Sequence, residues 1–287
     1  MSFAEGGTKF LQSIFKIRFD RSMSRKFEVE DTAILTLLSA MLDKVQTMEH
    51  LNKHRLPTEI NTIFRTLIEQ HFYITYIFQK YTPQRARAYF LHQRYEEFKK
   101  SMDVIARLKD RSLAKAVADS VNEKIQNSPS KGNTLQEELE RYEVEYLKLF
   151  EAARIRNGGR RIPGQKGKNK LNWYNTEFKG LNTILDLSRE IGEEELYFSF
   201  YGPLSMDVHG VDSPANIKIE NIIDPDRNIA MVVLNAGHDE ETTVDLAMAL
   251  TTQAILKVAR YYDMENTEAF RTFKNKYVIN INLRRLI

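Results

Sequence analysis

Thr58-Glu-Ile60-Asn-Thr-Ile63-Phe64-Arg65-Thr-Leu67-Ile68-Glu69-Gln-His71-Phe72-Tyr-Ile74-Thr-Tyr-Ile77-Phe78 decides the fold. Pro57 followed by Thr58-Glu59 opens a helix, because proline's missing N–H costs nothing in a first turn. Apolar residues then fall on nearly every side of a 3.6-residue repeat as far as about Lys80. A helix with no wet face belongs at the centre of a bundle. Arg65 and Glu69, one turn apart, are out of place in that setting. Burying charge is costly unless the partners meet each other or another polar group. The pair is therefore either ligand-facing, with Arg65 offered to phosphate or carboxylate, or an internal ion pair that holds helix register.

The chain on both sides of this segment is also helical. Asp31 suits an N-cap for Thr32 to Asn52, where Ile34, Leu37, Leu38, Met41, Leu42, Val45 and Met48 recur at helical spacing. Thr82-Pro83 starts a long helix to about Lys109, and Ser112 to Gln126 forms a weaker one before the turn-rich residues 127–133. Thr134 and Glu137 match a capping box for Leu135 to about Ile155. Further helices are expected at about Thr176 to Ile191, Glu193 to His209 and Asp239 to Asp263, with a last one from Thr267. Phe10 to Phe19 is amphipathic and basic, the pattern of a docking helix or a subunit contact. Ile217 to Ile222 and Ile229 to Leu234 flank Asp224-Pro-Asp-Arg-Asn228, a hairpin pattern. The expected fold is an all-α multi-helix bundle with a small β-hairpin insertion near residues 216–235. It forms one helical domain over 1–287, with a core of about 30–263 and terminal helices as appendages.

Composition narrows the chemistry. With 42% apolar residues, 16 Phe and 13 Tyr, the chain has ample core material. Absence of Cys excludes disulfides, thiolate zinc sites and a cysteine nucleophile, and fits a reducing cytoplasm. The formal net charge of +3 is no polycation, so nucleic-acid binding needs a local basic patch. No apolar run approaches the roughly 20 residues that span a bilayer, and no leader pattern opens the chain. The His residues are scattered, without His-Glu-x-x-His or EF-hand spacing, so no metal or cofactor is expected.

Three motifs carry candidate chemistry. In Tyr197-Phe-Ser-Phe-Tyr201-Gly-Pro-Leu-Ser205-Met-Asp-Val-His209-Gly210, four polar groups recur every fourth residue, one line on a helix. His209 titrates near neutrality and suits an acid/base, with Ser205 and Tyr201 to orient a substrate. A purely structural polar network with Gly210 as C-cap is the alternative. Pro203 interrupts the line, since it cannot donate to the Ser199 carbonyl, and a kink or restart is expected there. Between Arg154 and Lys170 lie seven basic residues and no acid. Arg160, Arg161, Lys166, Lys168 and Lys170 could track a phosphate backbone, with Trp173 stacking on bases. The third motif is Arg-x4-6-His, matched by Arg87–His92 and Arg65–His71, a spacing chance readily supplies.

Taken together, the chain resembles a mostly bacterial family of helical proteins of unknown function. The resemblance lies in Phe64-Arg-Thr-Leu-Ile-Glu69 with the Arg/Tyr-rich helix after it, and in Tyr201-x3-Ser205-x3-His209-Gly210 preceded by Trp173 and a helix ending in Gly192. It covers about residues 55 to 215. It implies an all-α core in which Arg65, Glu69, Tyr201, Ser205 and His209 converge, and a link to HEPN-like helical proteins, where defence and toxin ribonucleases reside. The functional expectation is a cytoplasmic protein that binds or cleaves RNA without a metal, as a homo-oligomer or with a protein partner. The rival is a non-enzymatic interaction or sensor module with a structural polar core, whose apolar C-terminus (Tyr277 to Ile287) meets a partner or a second copy.

Overall fold

The computed structural model describes residues 2–20, 26–54, 56, 58–126, 132–156, 172–176, 180–208, 217–221, 230–234 and 240–278. The chain is predominantly helical, and the all-α class holds. Its contacts group into two compact units, Met1–Lys80 with Ser188–Ile287, and Tyr81–Leu187.

In the first unit α1 (Phe3–Arg18), α2 (Val29–Lys53), α3 (Thr58–Gln79) and α10 (Glu240–Tyr261) pack together. Phe64, Leu67, Ile68, Phe72, Ile74, Tyr76 and Ile77 of α3 are all buried, as its all-round apolar pattern requires. Each such side chain contributes roughly 1.5–3 kcal/mol when fully removed from water. Ala247, Ala249, Ala254 and Ala259 of α10 are buried too, and their small size lets that helix come close. The α1 helix begins at Phe3 rather than near Phe10, because Ser2 and Glu5 form a capping box. Gly6 and Gly7 then bring it tightly against Tyr277 and Leu42. The last elements are α11 (Glu268–Phe273) and a π turn Lys274–Val278. Tyr277 donates its hydroxyl to Ser2 O at 2.6 Å, so this part of the C-terminus is tied to α1. Residues 279–287 lie outside the described set.

Asp31 is not the N-cap of α2. The helix starts three residues earlier, with Asp31 at N3 accepting the Glu28 N–H at 2.9 Å and the Tyr262 hydroxyl at 2.8 Å. The second bond joins the start of α2 to the end of α10, a partner that local spacing does not reveal.

The second unit contains α4 (Thr82–Arg107), α5 (Arg111–Gln126), α6 (Leu135–Arg156) and a 3-10 turn Trp173–Asn175. Its core is aromatic: Phe98 stacks on Tyr142 at 5.7 Å, and Tyr146 meets Phe150 edge-on at 5.1 Å. The Thr134–Glu137 capping box forms as expected, with bonds of 2.7 and 3.3 Å. The helix expected over Thr176 to Ile191 is shorter. Gly180 at φ 74° holds the chain out of helix, and a Thr183–Asp186 box starts α7 (Ile184–Glu190).

Strands β1 (Ile217–Asn221) and β2 (Ala230–Leu234) pair antiparallel, Ile217 opposite Leu234. The residues joining them lie outside the described set.

Candidate functional site

Three helical segments follow α7 in close succession: α8 (Glu194–Leu196), a π turn Tyr197–Tyr201 and α9 (Gly202–Val208). The interruption expected at Pro203 takes this form. An unbroken α-helix would need a Pro203 N–H and would press its ring on the Ser199 carbonyl. Instead the preceding turn widens by one residue, and the Gly202 N–H reaches back to Tyr197 O.

Where this widened turn packs on α3, it delivers Tyr201 to Arg65 and Glu69. The Tyr201 hydroxyl accepts from Arg65 Nη2 at 3.0 Å and donates to Glu69 Oε2 at 3.3 Å. One turn further along α3, the Tyr73 hydroxyl donates to Glu69 Oε1 at 2.6 Å. Arg65 also lies over the Tyr201 ring, its Cζ 4.8 Å from the centroid. Its Nη1 is 4.0 Å from Glu69, too far for the forked pairing that neutralises a guanidinium most fully. Arg65 Nε has no hydrogen-bond partner. The two charged side chains remain 20% and 27% exposed.

Burial, reinforced by the Glu69 charge and opposed by Arg65, pushes the Tyr201 phenol well above its ordinary range. Tyr201 therefore stays a protonated donor at any physiological pH. Glu69 accepts from one phenol on each of its oxygens, Tyr73 on Oε1 and Tyr201 on Oε2. The cluster offers an oriented cation.

Three of the five expected catalytic residues thus meet. Tyr197 stacks against Tyr201, with centroids 5.3 Å apart. Ser205 is half-buried one turn further on α9, while His209 lies outside the described residues. So do Arg160, Arg161, Lys166, Lys168 and Lys170. Trp173 is placed in the core of the second unit, 1% exposed, with Tyr89 edge-on at 5.1 Å and Tyr174 at 5.6 Å. An indole so enclosed offers no face to a base. Among the described residues no three His, Asp or Glu converge as metal ligands, and no helix is long and apolar enough to cross a membrane.

The reading from sequence passed over a second polar site in the first unit. His71 is fully buried, with Nε2 2.9 Å from Glu193 Oε2. The contact is close, yet it lacks the alignment of a hydrogen bond, and His71 Nδ1 is unpartnered. Both groups line a cavity of about 470 Å³ with Leu196, Phe200, Leu246 and Gln253. His71 follows Arg65 by six residues, or about 240° around a helix, so the two members of the Arg-x5-His match diverge. The sequence signal was a histidine on an apolar helix; its partner, 122 residues away, left none.

Residues 31–221 match the model of a family described as a family of unknown function (DUF5677). No curated protein and no solved structure matches the chain.

Proposed function

We propose, on the premise that the chain belongs to the family of unknown function DUF5677, that its Arg65 cluster holds a phosphate of an RNA ligand. One observation carries this reading. Arg65 is fixed by a phenol edge and face, while the nearest carboxylate is occupied by Tyr73 and Tyr201. A guanidinium has five donors, and this one makes a single aligned hydrogen bond. Such a group suits an oxyanion. Cleavage belongs to the same proposal: a base, the role given to His209, takes the 2′-hydroxyl proton as that oxygen attacks phosphorus, Arg65 stabilises the phosphorane charge, and the P–O5′ bond breaks with the 5′-oxygen taking a proton from solvent. A HEPN-like kinship, a cytoplasmic defence or toxin role and homo-oligomer formation accompany it as proposals.

The test is RNA binding by fluorescence anisotropy across a salt series, together with incubation of total RNA in EDTA. Arg65→Ala is expected to weaken binding tenfold or more and to flatten the salt dependence, with Arg65→Lys in between. His209→Ala is expected to abolish cleavage and keep binding. Equal affinity of wild type and Arg65→Ala would sink the proposal.

A second reading has its own observation. Glu69 has both oxygens satisfied by phenols, as in a purely structural network. The chain would then be an interaction or sensor module, and Arg65→Ala would lower the unfolding midpoint while leaving RNA affinity unchanged.

A further inference from the structure

The cavity beside His71 has an apolar wall and two carboxylates. Leu196, Phe200, Leu246 and Leu250 supply the wall, and a volume of about 470 Å³ falls within the range of small-molecule sites. His71 adds ring surface only, because both its nitrogens are enclosed. The backbone fixes Glu193. Gly192, at φ 77°, ends α7 in a Schellman turn: its N–H bonds Arg189 O at 3.1 Å, and the Glu193 N–H bonds Ser188 O at 2.8 Å. Glu193 Oε2 is enclosed against His71 Nε2 at 2.9 Å, while its Oε1 carries no hydrogen bond and is not enclosed. Glu195 lies exposed at the rim and has no hydrogen-bond or ion-pair partner among the described residues.

The surrounding charges leave these carboxylates short of cations. Arg189 is taken by Glu194 at 2.8 Å, and Arg260 by Glu265 at 3.6 Å. Lys257, one turn beyond Gln253 on α10, interacts with Glu193; burial holds its ammonium below the ordinary value, with Glu193 opposing and Arg260 assisting. Lys257 and His71 both bear on Glu193, so neither balances Glu195. Asp245, exposed one turn before Ala249 on the same side of α10, adds negative charge. A neutral ligand leaves this excess untouched, and an anion adds to it. A cation offsets it, and the apolar wall requires the rest of that ligand to be apolar. Ser199 and Gln253 offer oxygen acceptors for the further hydrogens of an ammonium.

We propose that this cavity binds a protonated primary amine on an apolar body of the arylalkyl kind, its ammonium held by Glu195 and the open oxygen of Glu193. The flat body lies against the Phe200 ring and the leucines. This goes beyond the Arg65 reading and does not depend on it, since the cavity shares no lining residue with that cluster.

The test is calorimetric titration at neutral pH with tryptamine, against tryptophol, which replaces the ammonium by a hydroxyl on the same ring and chain. Wild type is expected to bind tryptamine at least tenfold more tightly, the worth of a charge-assisted bond. Glu195→Gln, a change at the exposed rim, is expected to lose about fivefold or more in tryptamine affinity and to keep its tryptophol affinity, a split that a merely structural role would not produce. Glu193→Gln is expected to act in the same direction. Ser199→Trp, a bulky substitution at the rim, is expected to weaken both ligands about tenfold or more. Thermal unfolding checks that each variant is folded, and Arg65→Ala is expected to bind tryptamine as wild type does. Any of three results overturns the proposal: no saturable tryptamine binding by wild type, equal affinity for tryptophol, or full tryptamine affinity in folded Glu195→Gln and Glu193→Gln alike.

Discussion

Tyr201→Phe removes one oxygen from the Arg65 cluster and leaves the ring contacts with Tyr197, Phe72 and Arg65 in place. Two hydrogen bonds to charged groups disappear, at 3.0 and 3.3 Å. Bonds of that class are worth about 1.5–3 kcal/mol each when the charged partner stays dry. Here water can reach both partners, at 20% and 27% exposure, and will replace part of what is lost. The expected net cost is about 1–2 kcal/mol at neutral pH, read from urea unfolding followed by circular dichroism. An alkaline series adds a second readout. A phenol held above its ordinary range keeps its proton longer in the folded state than in the unfolded chain. Its stabilisation is whole below about pH 10 and is lost as pH rises toward the folded value. Tyr146, buried in the second unit, titrates in the same direction, so the signal is the difference between variant and wild type. Tyr201→Phe should lose less stability between pH 10 and 11 than wild type does. An unchanged urea midpoint together with an identical alkaline limb would refute the described hydrogen bonds.

Gly7→Ala drives a methyl into Leu42, a core residue of α2. Overpacking of about 1–3 kcal/mol outweighs the gain of up to about 1 kcal/mol in helix propensity, so a lower unfolding midpoint is expected; a raised midpoint contradicts the α1–α2 packing. His92, packed on the Tyr146 ring at 5.4 Å, is held down to about 4 by burial, with Glu96 opposing and Lys100 assisting. The unfolded chain protonates this ring first, so about 3 kcal/mol of stability should drain away as pH falls from 6.5 to about 4. In His92→Gln that acid limb should flatten, and an identical limb removes His92 as its cause.

What the sequence revealed was what lies within one or two helical turns. The Thr134–Glu137 box, the Thr82-Pro83 start and the apolar α3 are all local signals, and the structure has them. Arg65, Glu69 and Tyr201 were identified as odd residues on otherwise apolar or aligned helices, though their hydrogen bonds cross more than 130 residues of chain. Local reading failed where distant partners decide. Asp31 looked like a cap because its partner Tyr262 is 231 residues away. Trp173 looked like a stacking platform because it follows a basic loop, but the Tyr89 and Tyr174 rings enclose it. Glu193 looked like a helix start, and only the fold sets it against His71.

The widened turn at Tyr197–Tyr201 acts as a phase shifter. An α-helix advances about 100° per residue, so one extra residue in a single turn rotates everything before it by that angle relative to everything after. Glu195, Leu196, Ser199 and Phe200 line the cavity, while Tyr201 addresses Arg65. Deleting any one residue between 197 and 201 would restore ordinary winding and re-aim one of these two sets by roughly a quarter turn. The helix would survive in length and amphipathic character, and the two sites would no longer be served together. A chain that gained or lost one residue at this turn would thus keep its fold and exchange one site's geometry for another.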